Sequence, residues 1–105
     1  MKISMRARDD ILALFDQFKK IEKAEKGIEW ADTSAVEAAV NDRNFIRILR
    51  DWDGGSGGPT MKRLARFEQW MRERIGEKLY DEFRRGRAEE VAAGKGSGRA
   101  SKKTA

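Results

Sequence analysis

The sequence predicts an all-α fold, a small bundle of four to five helices with a Gly-rich loop and a disordered basic C-terminal tail. Apolar residues recur at intervals of three and four along most of the chain, as on the buried face of a helix. No stretch of useful length alternates in the way a half-buried strand would. We therefore expect one helical domain over 1–93, with a Gly-rich hinge or loop at 53–59 and a flexible basic tail at 94–105.

The first helix is predicted between Ser4 and Gly27. Ser4 suits the N-cap position, and Gly27 accepts the left-handed conformation that closes many helices. The apolar residues between them have the spacing of one helix face: Ile11, Leu14, Phe15, Phe18 and Ile21.

Two short helices joined by a tight turn are predicted next, at about 34–41 and 42–52. Ser34 and Glu37 have the spacing of a capping box, which indicates a helix start at Ser34. The apolar faces before and after Asn41 are out of phase by about one residue, and asparagine favours turns. A single kinked helix is the alternative interpretation.

A fourth helix is predicted to begin at Pro59–Thr60, and its apolar face continues through Phe83. Gly76 interrupts this pattern, because glycine disfavours a helix interior by about 1 kcal/mol relative to alanine. We expect a break or kink there and a fifth helix from about Glu77 to Ala92.

The composition excludes several classes of chemistry. The chain has no cysteine and no histidine, so disulfides, thiol catalysis, imidazole catalysis and the usual structural zinc sites are excluded. Asp51 and Asp53 form the best remaining carboxylate pair, but this spacing at a helix end is more typical of a turn. We expect a protein that is not an enzyme and has no cofactor and no metal site. No apolar run reaches the length of a signal peptide or a membrane span, so we expect a cytoplasmic protein without a membrane partner.

The glycine stretch lies in residues 51–62, which read DWDGGSGGPTMK. Its spacing fits neither a Walker loop nor a dinucleotide-binding loop, and no strand precedes it. The start of the fourth helix, with Lys62 and Arg63 in its first turn, remains as a weak general anion site. A flexible connector is one interpretation of the glycines; a hinge between two partner-binding helices is the other, and the one we adopt.

The charge distribution favours a nucleic-acid partner, DNA or RNA. Residues 1–53 carry 10 Lys/Arg and 11 Asp/Glu, whereas residues 54–105 carry 13 and 7. Such a basic half is typical of proteins that bind polyanions. We therefore predict a small accessory or regulatory nucleic-acid-binding protein, with Asn44 and Arg47 as the base-reading residues. The predicted nucleic-acid contacts are Arg43, Asn44, Arg47, Arg50, Lys62, Arg63, Arg66 and Arg74.

The alternative function is a protein-interaction module, such as a small phage- or plasmid-encoded inhibitor that docks on a host protein. Under this hypothesis Trp30, Trp52 and Trp70 are exposed anchors at the protein interface, since tryptophan dominates many binding hot spots. The broad apolar face of the first helix also makes a homodimer possible.

Overall fold

A computed structural model of the chain describes residues 4–55 and 57–96, with side chains described up to residue 90. Within these residues every regular element is a helix and there is no strand, which confirms the all-α prediction. The five helices are α1 (Met5–Lys26), α2 (Asp32–Val40), α3 (Phe45–Asp51), α4 (Met61–Ile75) and α5 (Glu77–Gly96). The predicted tail begins at 94, but α5 extends to Gly96, and the rest of that tail lies outside the described residues.

The chain divides into two compact units at the predicted break. The first unit ends at Ile75 and contains α1 to α4, and the second begins at Gly76 and contains α5. Gly76 has a φ of 92°, a left-handed conformation that residues with side chains rarely adopt. Its carbonyl oxygen accepts a hydrogen bond from the Tyr80 N–H, the first helical hydrogen bond of α5.

Both predicted ends of α1 are confirmed. The Ser4 hydroxyl accepts a hydrogen bond from the Ala7 N–H at 3.0 Å, and Gly27 closes the helix with a φ of 70°. Arg8 of the same helix is buried, and its guanidinium donates hydrogen bonds to the carbonyl oxygens of Leu49 and Trp52 at 2.5 and 3.0 Å. Arg8 thereby satisfies carbonyls that the end of α3 leaves without helical partners.

An aromatic cluster forms the core of the first unit. Phe15, Phe45 and Phe67 are completely buried. The Phe67 ring lies 5.3 Å from Phe15 and 5.9 Å from Phe45, at the tilted and edge-on angles that aromatic pairs prefer. These contacts hold the first half of α4 against both α1 and the start of α3.

The predicted capping box is wrong. The structure starts α2 at Asp32, with Ala31 as the N-cap, so Ser34 lies inside the first turn and caps nothing. The Asp32 carboxylate lies 2.8 Å from Lys19 Nζ and 3.0 Å from Arg50 Nη2, so long-range ion pairs and a favourable helix-dipole position support the earlier start.

Two helices rather than one kinked helix follow, as predicted. Asn41 ends α2 in the left-handed conformation, with a φ of 60°. α3 begins at Phe45, three residues later than predicted, and is only seven residues long. None of the helices in the described ranges combines the length and apolar character needed to span a bilayer.

Candidate nucleic-acid interface

The turn between α2 and α3 lies against the first turns of α4. Arg63 Nη1 lies 2.5 Å from Asp42 Oδ2, a charge-assisted hydrogen bond between segments 21 positions apart. This contact places the exposed residues Arg43 and Asn44 beside the basic start of α4. Predicted contacts from two separate segments of the chain, Arg43 and Asn44 in one and Arg63 in the other, therefore lie close together.

A basic cleft of about 420 Å³ lies between the end of α2 and the start of α4. The described residues that line it include three cations and no carboxylate: Val40, Asn41, Thr60, Lys62, Arg63 and Arg66. Lys62 and Arg66 are exposed and make no ion pair with any residue that the structure describes. Only Arg63 has its charge matched, by Asp42. The cleft therefore presents two uncompensated positive charges.

The local sequence of α4 explains the orientation of these cations. Leu64, Phe67 and Met71 are buried at three- and four-residue intervals, so the intervening side chains face outward. Thr60 caps the helix, because its hydroxyl accepts from the Arg63 N–H at 3.2 Å and its carbonyl from the Leu64 N–H at 3.0 Å. The basic side chains of the first two turns are thus held on a capped helix.

The predicted contacts Arg43, Arg47 and Arg50, in and just before α3, lie in three different surroundings. Arg43 lies 3.9 Å from Glu37 in a largely exposed pair, and Arg50 pairs with Asp32. Arg47 is exposed and has no ion-pair partner in the described residues, but it lines a different cleft.

Arg74, another predicted contact, lies in a polar centre well away from the start of α4. Its guanidinium stacks over Trp30 and Trp70, with Cζ 5.2 and 5.4 Å from the ring centroids. Its Nε donates at 2.9 Å to Oε1 of Glu22, which is completely buried and also accepts from the Trp30 indole N–H at 3.2 Å. Lys26 Nζ lies 2.7 Å from Oε2 in an ion pair that lacks hydrogen-bond geometry. The partners of Arg74 are therefore internal to the fold.

The Glu22 carboxylate is stabilised in its charged form. Burial raises its pKa, but the contact with Lys26, the hydrogen bonds from Trp30 and Arg74, and the charge of Arg74 outweigh that effect, and the net pKa is below its ordinary value. Sequence reasoning missed this residue. The signal was present, because Glu22 follows Phe18 by four residues and occupies a core position of the helix pattern.

The three tryptophans are half-buried rather than fully exposed. Trp30 and Trp70 contact each other edge-on, with centroids 5.3 Å apart, and both contact the Phe18 ring. Trp52 lies apart from this pair. The tryptophans are therefore less exposed than expected, because two of them complete an interior cluster, and their role as anchors at a protein interface stays a prediction.

The Trp52 cleft is a second cavity, of about 330 Å³, beside the glycine stretch. It is lined by Arg47, Ile48, Asp51, Trp52, Asp53, Gly57 and Gly58. The indole N–H of Trp52 donates to the Gly55 carbonyl at 2.6 Å. A Cβ at Gly58 would lie only 2.3 Å from Trp52 Nε1, so the backbone of Gly58 lies directly on the indole ring.

Two glycines of this stretch, Gly55 and Gly58, contact Trp52, and the backbone around them is tightly turned. Asp53 Oδ1 accepts from the Gly55 N–H at 3.0 Å, and Gly54 and Gly57 have φ values of 97° and 84°. Ser56 lies outside the described residues. Whether the stretch also acts as a hinge stays a prediction.

Neither cleft has the donor set of a metal site. Across the two described ranges, no group of three or more carboxylates is arranged to hold a metal ion. Comparison with known proteins finds no matching family model, no matching curated protein and no matching solved structure.

Proposed function

We propose that the protein binds nucleic acid as a non-enzymatic accessory or regulatory protein, with the basic cleft as its phosphate-binding surface. The observation that supports this most directly is the lining of the cleft, which brings Lys62, Arg63 and Arg66 together without a carboxylate. Two of these cations have no ion-pair partner within the described part of the chain. A concave surface with uncompensated positive charge attracts phosphates and their counterion atmosphere.

The chemistry of the lining suits phosphate oxygens. Lysine supplies a point charge, and arginine supplies a planar pair of donors that matches two phosphate oxygens. The Asn41 amide and the Thr60 hydroxyl add neutral donors of the type that contacts nucleic-acid backbones. Arg43 and Asn44, exposed beside the cleft, extend the surface toward the bases, since asparagine and arginine pair with base edges.

The proposal is tested by fluorescence anisotropy with labelled DNA and RNA over a range of salt concentrations. The double variant Lys62→Ala/Arg66→Ala is expected to weaken binding and to reduce the slope of log K against log salt by about two. Because both side chains are exposed, the variant should keep the wild-type helix content and stability.

The matched control is Lys20→Ala/Lys78→Ala, which removes the same charge from exposed positions outside the cleft. It is expected to change the salt slope much less. The proposal fails if the protein shows no salt-sensitive binding below roughly 100 µM at low salt. It also fails if both double variants weaken binding equally.

A further inference from the structure

We infer that the nucleic acid bound is single-stranded, with one nucleobase on Trp52 and a neighbouring phosphate in the basic cleft. This inference rests on the proposed function and names the class of nucleic acid. It is based on the two clefts being neighbours with different chemistry.

The two clefts lie on either side of a three-residue segment. Gly58 lines the Trp52 cleft and Thr60 lines the basic cleft, with Pro59 between them. Two trans peptide units separate the Cα atoms of Gly58 and Thr60 by at most about 7.6 Å. Under this proposal, a strand of a few nucleotides crosses this short segment from one cleft to the other.

The Trp52 indole is held in place and its polar group is already satisfied. The indole N–H donates a hydrogen bond to the Gly55 carbonyl, and Gly58 lies against the ring. The backbone carbonyl of Trp52 accepts a hydrogen bond from Arg8. Trp52, which lines the cleft, therefore has its aromatic ring held in one position. Stacking of a base on such an aromatic ring is a common basis of single-strand binding.

The polar residues of the Trp52 cleft suit a base better than a phosphate. Asp51 and Asp53 would repel a phosphate, but carboxylates accept hydrogen bonds from base amino groups, as they do from cytosine. Arg47, without an ion-pair partner in the described residues, offers a donor to a base edge or to the strand. The adjacent basic cleft has the opposite character and suits the phosphate.

A single strand is favoured because a base in a duplex is stacked on both faces and paired along one edge. Placing it on Trp52 would require unstacking and unpairing it, which weakens duplex binding relative to single-strand binding. The phosphate contacts of the basic cleft are available to both forms. The preference for single strands should therefore come from the Trp52 cleft alone.

The decisive experiment uses the wild-type protein and needs no variant. Anisotropy is measured with a short mixed-sequence strand, as DNA and as RNA, with its duplex, and with the same strand made abasic. The intact strand is expected to bind more tightly than the duplex. The abasic strand should bind about fivefold or more weakly than the intact strand, with an unchanged salt slope, because it keeps the phosphates and loses only the stacking and hydrogen bonds of the bases.

Variants then locate the effect. Trp52→Leu should remove the difference between intact and abasic strands, and Trp52→Phe should restore part of it. If Trp52→Leu does not fold, Arg47→Ala replaces it, because Arg47 is exposed and its loss should reduce binding of the intact strand more than that of the duplex.

Equal binding of intact and abasic strands, or of single strand and duplex, overturns this inference. The proposed function would survive that result as long as Lys62→Ala/Arg66→Ala still weakens binding. Absence of binding to every strand would overturn the proposed function itself, so the two failures are distinguishable.

Discussion

Arg74 Nε donates a hydrogen bond at 2.9 Å to Oε1 of Glu22, a residue 52 positions earlier in the chain. Glu22 is completely buried, and Trp30 and Trp70 flank the guanidinium. This pair joins α1 to the last turn of α4 and fixes how the two helices meet.

Arg74→Ala is expected to lower the free energy of unfolding by about 3 kcal/mol, measured by urea denaturation. Removing one partner leaves the buried Glu22 carboxylate less compensated, which is strongly destabilising. The ion pair with Lys26 remains, so the loss should be at the lower end of the range for such changes. Arg66→Ala, an exposed arginine on the same helix, is the control and should change stability by less than about 0.5 kcal/mol. Equal effects of the two substitutions would contradict a structural role for Arg74.

The pKa of Glu22 predicts how stability depends on pH. Because this pKa is lower in the folded state, the carboxylate contributes its full stabilisation at pH values above the ordinary pKa of about 4.5. It is lost as the pH falls through the lowered folded-state pKa. Wild type should therefore be more stable than Glu22→Gln at pH 7, and this difference should shrink as the solution is acidified.

The measurement is a set of urea denaturation curves for both proteins from neutral to strongly acidic pH. Glu25→Gln removes an exposed carboxylate from the same helix and should change the unfolding free energy little at neutral pH. A difference between wild type and Glu22→Gln that stays constant or grows on acidification would show that the carboxylate charge contributes nothing.

Gly58→Ala should destabilise the protein by about 1–3 kcal/mol and change the tryptophan fluorescence. The new methyl group would lie 2.3 Å from Trp52 Nε1, so the indole or the loop must move. Gly86→Ala is the control, because a Cβ at that helical position meets nothing within 4 Å, and it should stabilise α5 slightly. If Gly58→Ala is as stable as wild type, the glycine stretch is a connector whose packing on Trp52 does not contribute to stability.

Much of the helical pattern was predictable because its signals are local. Ser4 and Gly27 bound the first helix through side-chain capping and the left-handed conformation, both properties of single residues. Asn41 and Gly76 mark boundaries for the same reason. The start of α2 could not be predicted in this way, because Asp32 is paired with Lys19 and Arg50, which lie 13 and 18 positions away.

The amino-acid sequence by itself determined that the chain is helical, roughly where its helices begin and end, and that its second half is basic. Only the tertiary structure decided which cations share a surface. Arg63 and Arg66 line a cleft with Lys62, whereas Arg74, on the same helix, is held by Glu22 and two tryptophans. The physical reason is that a helix period places side chains on faces, but the neighbours that neutralise or expose a charge come from distant segments.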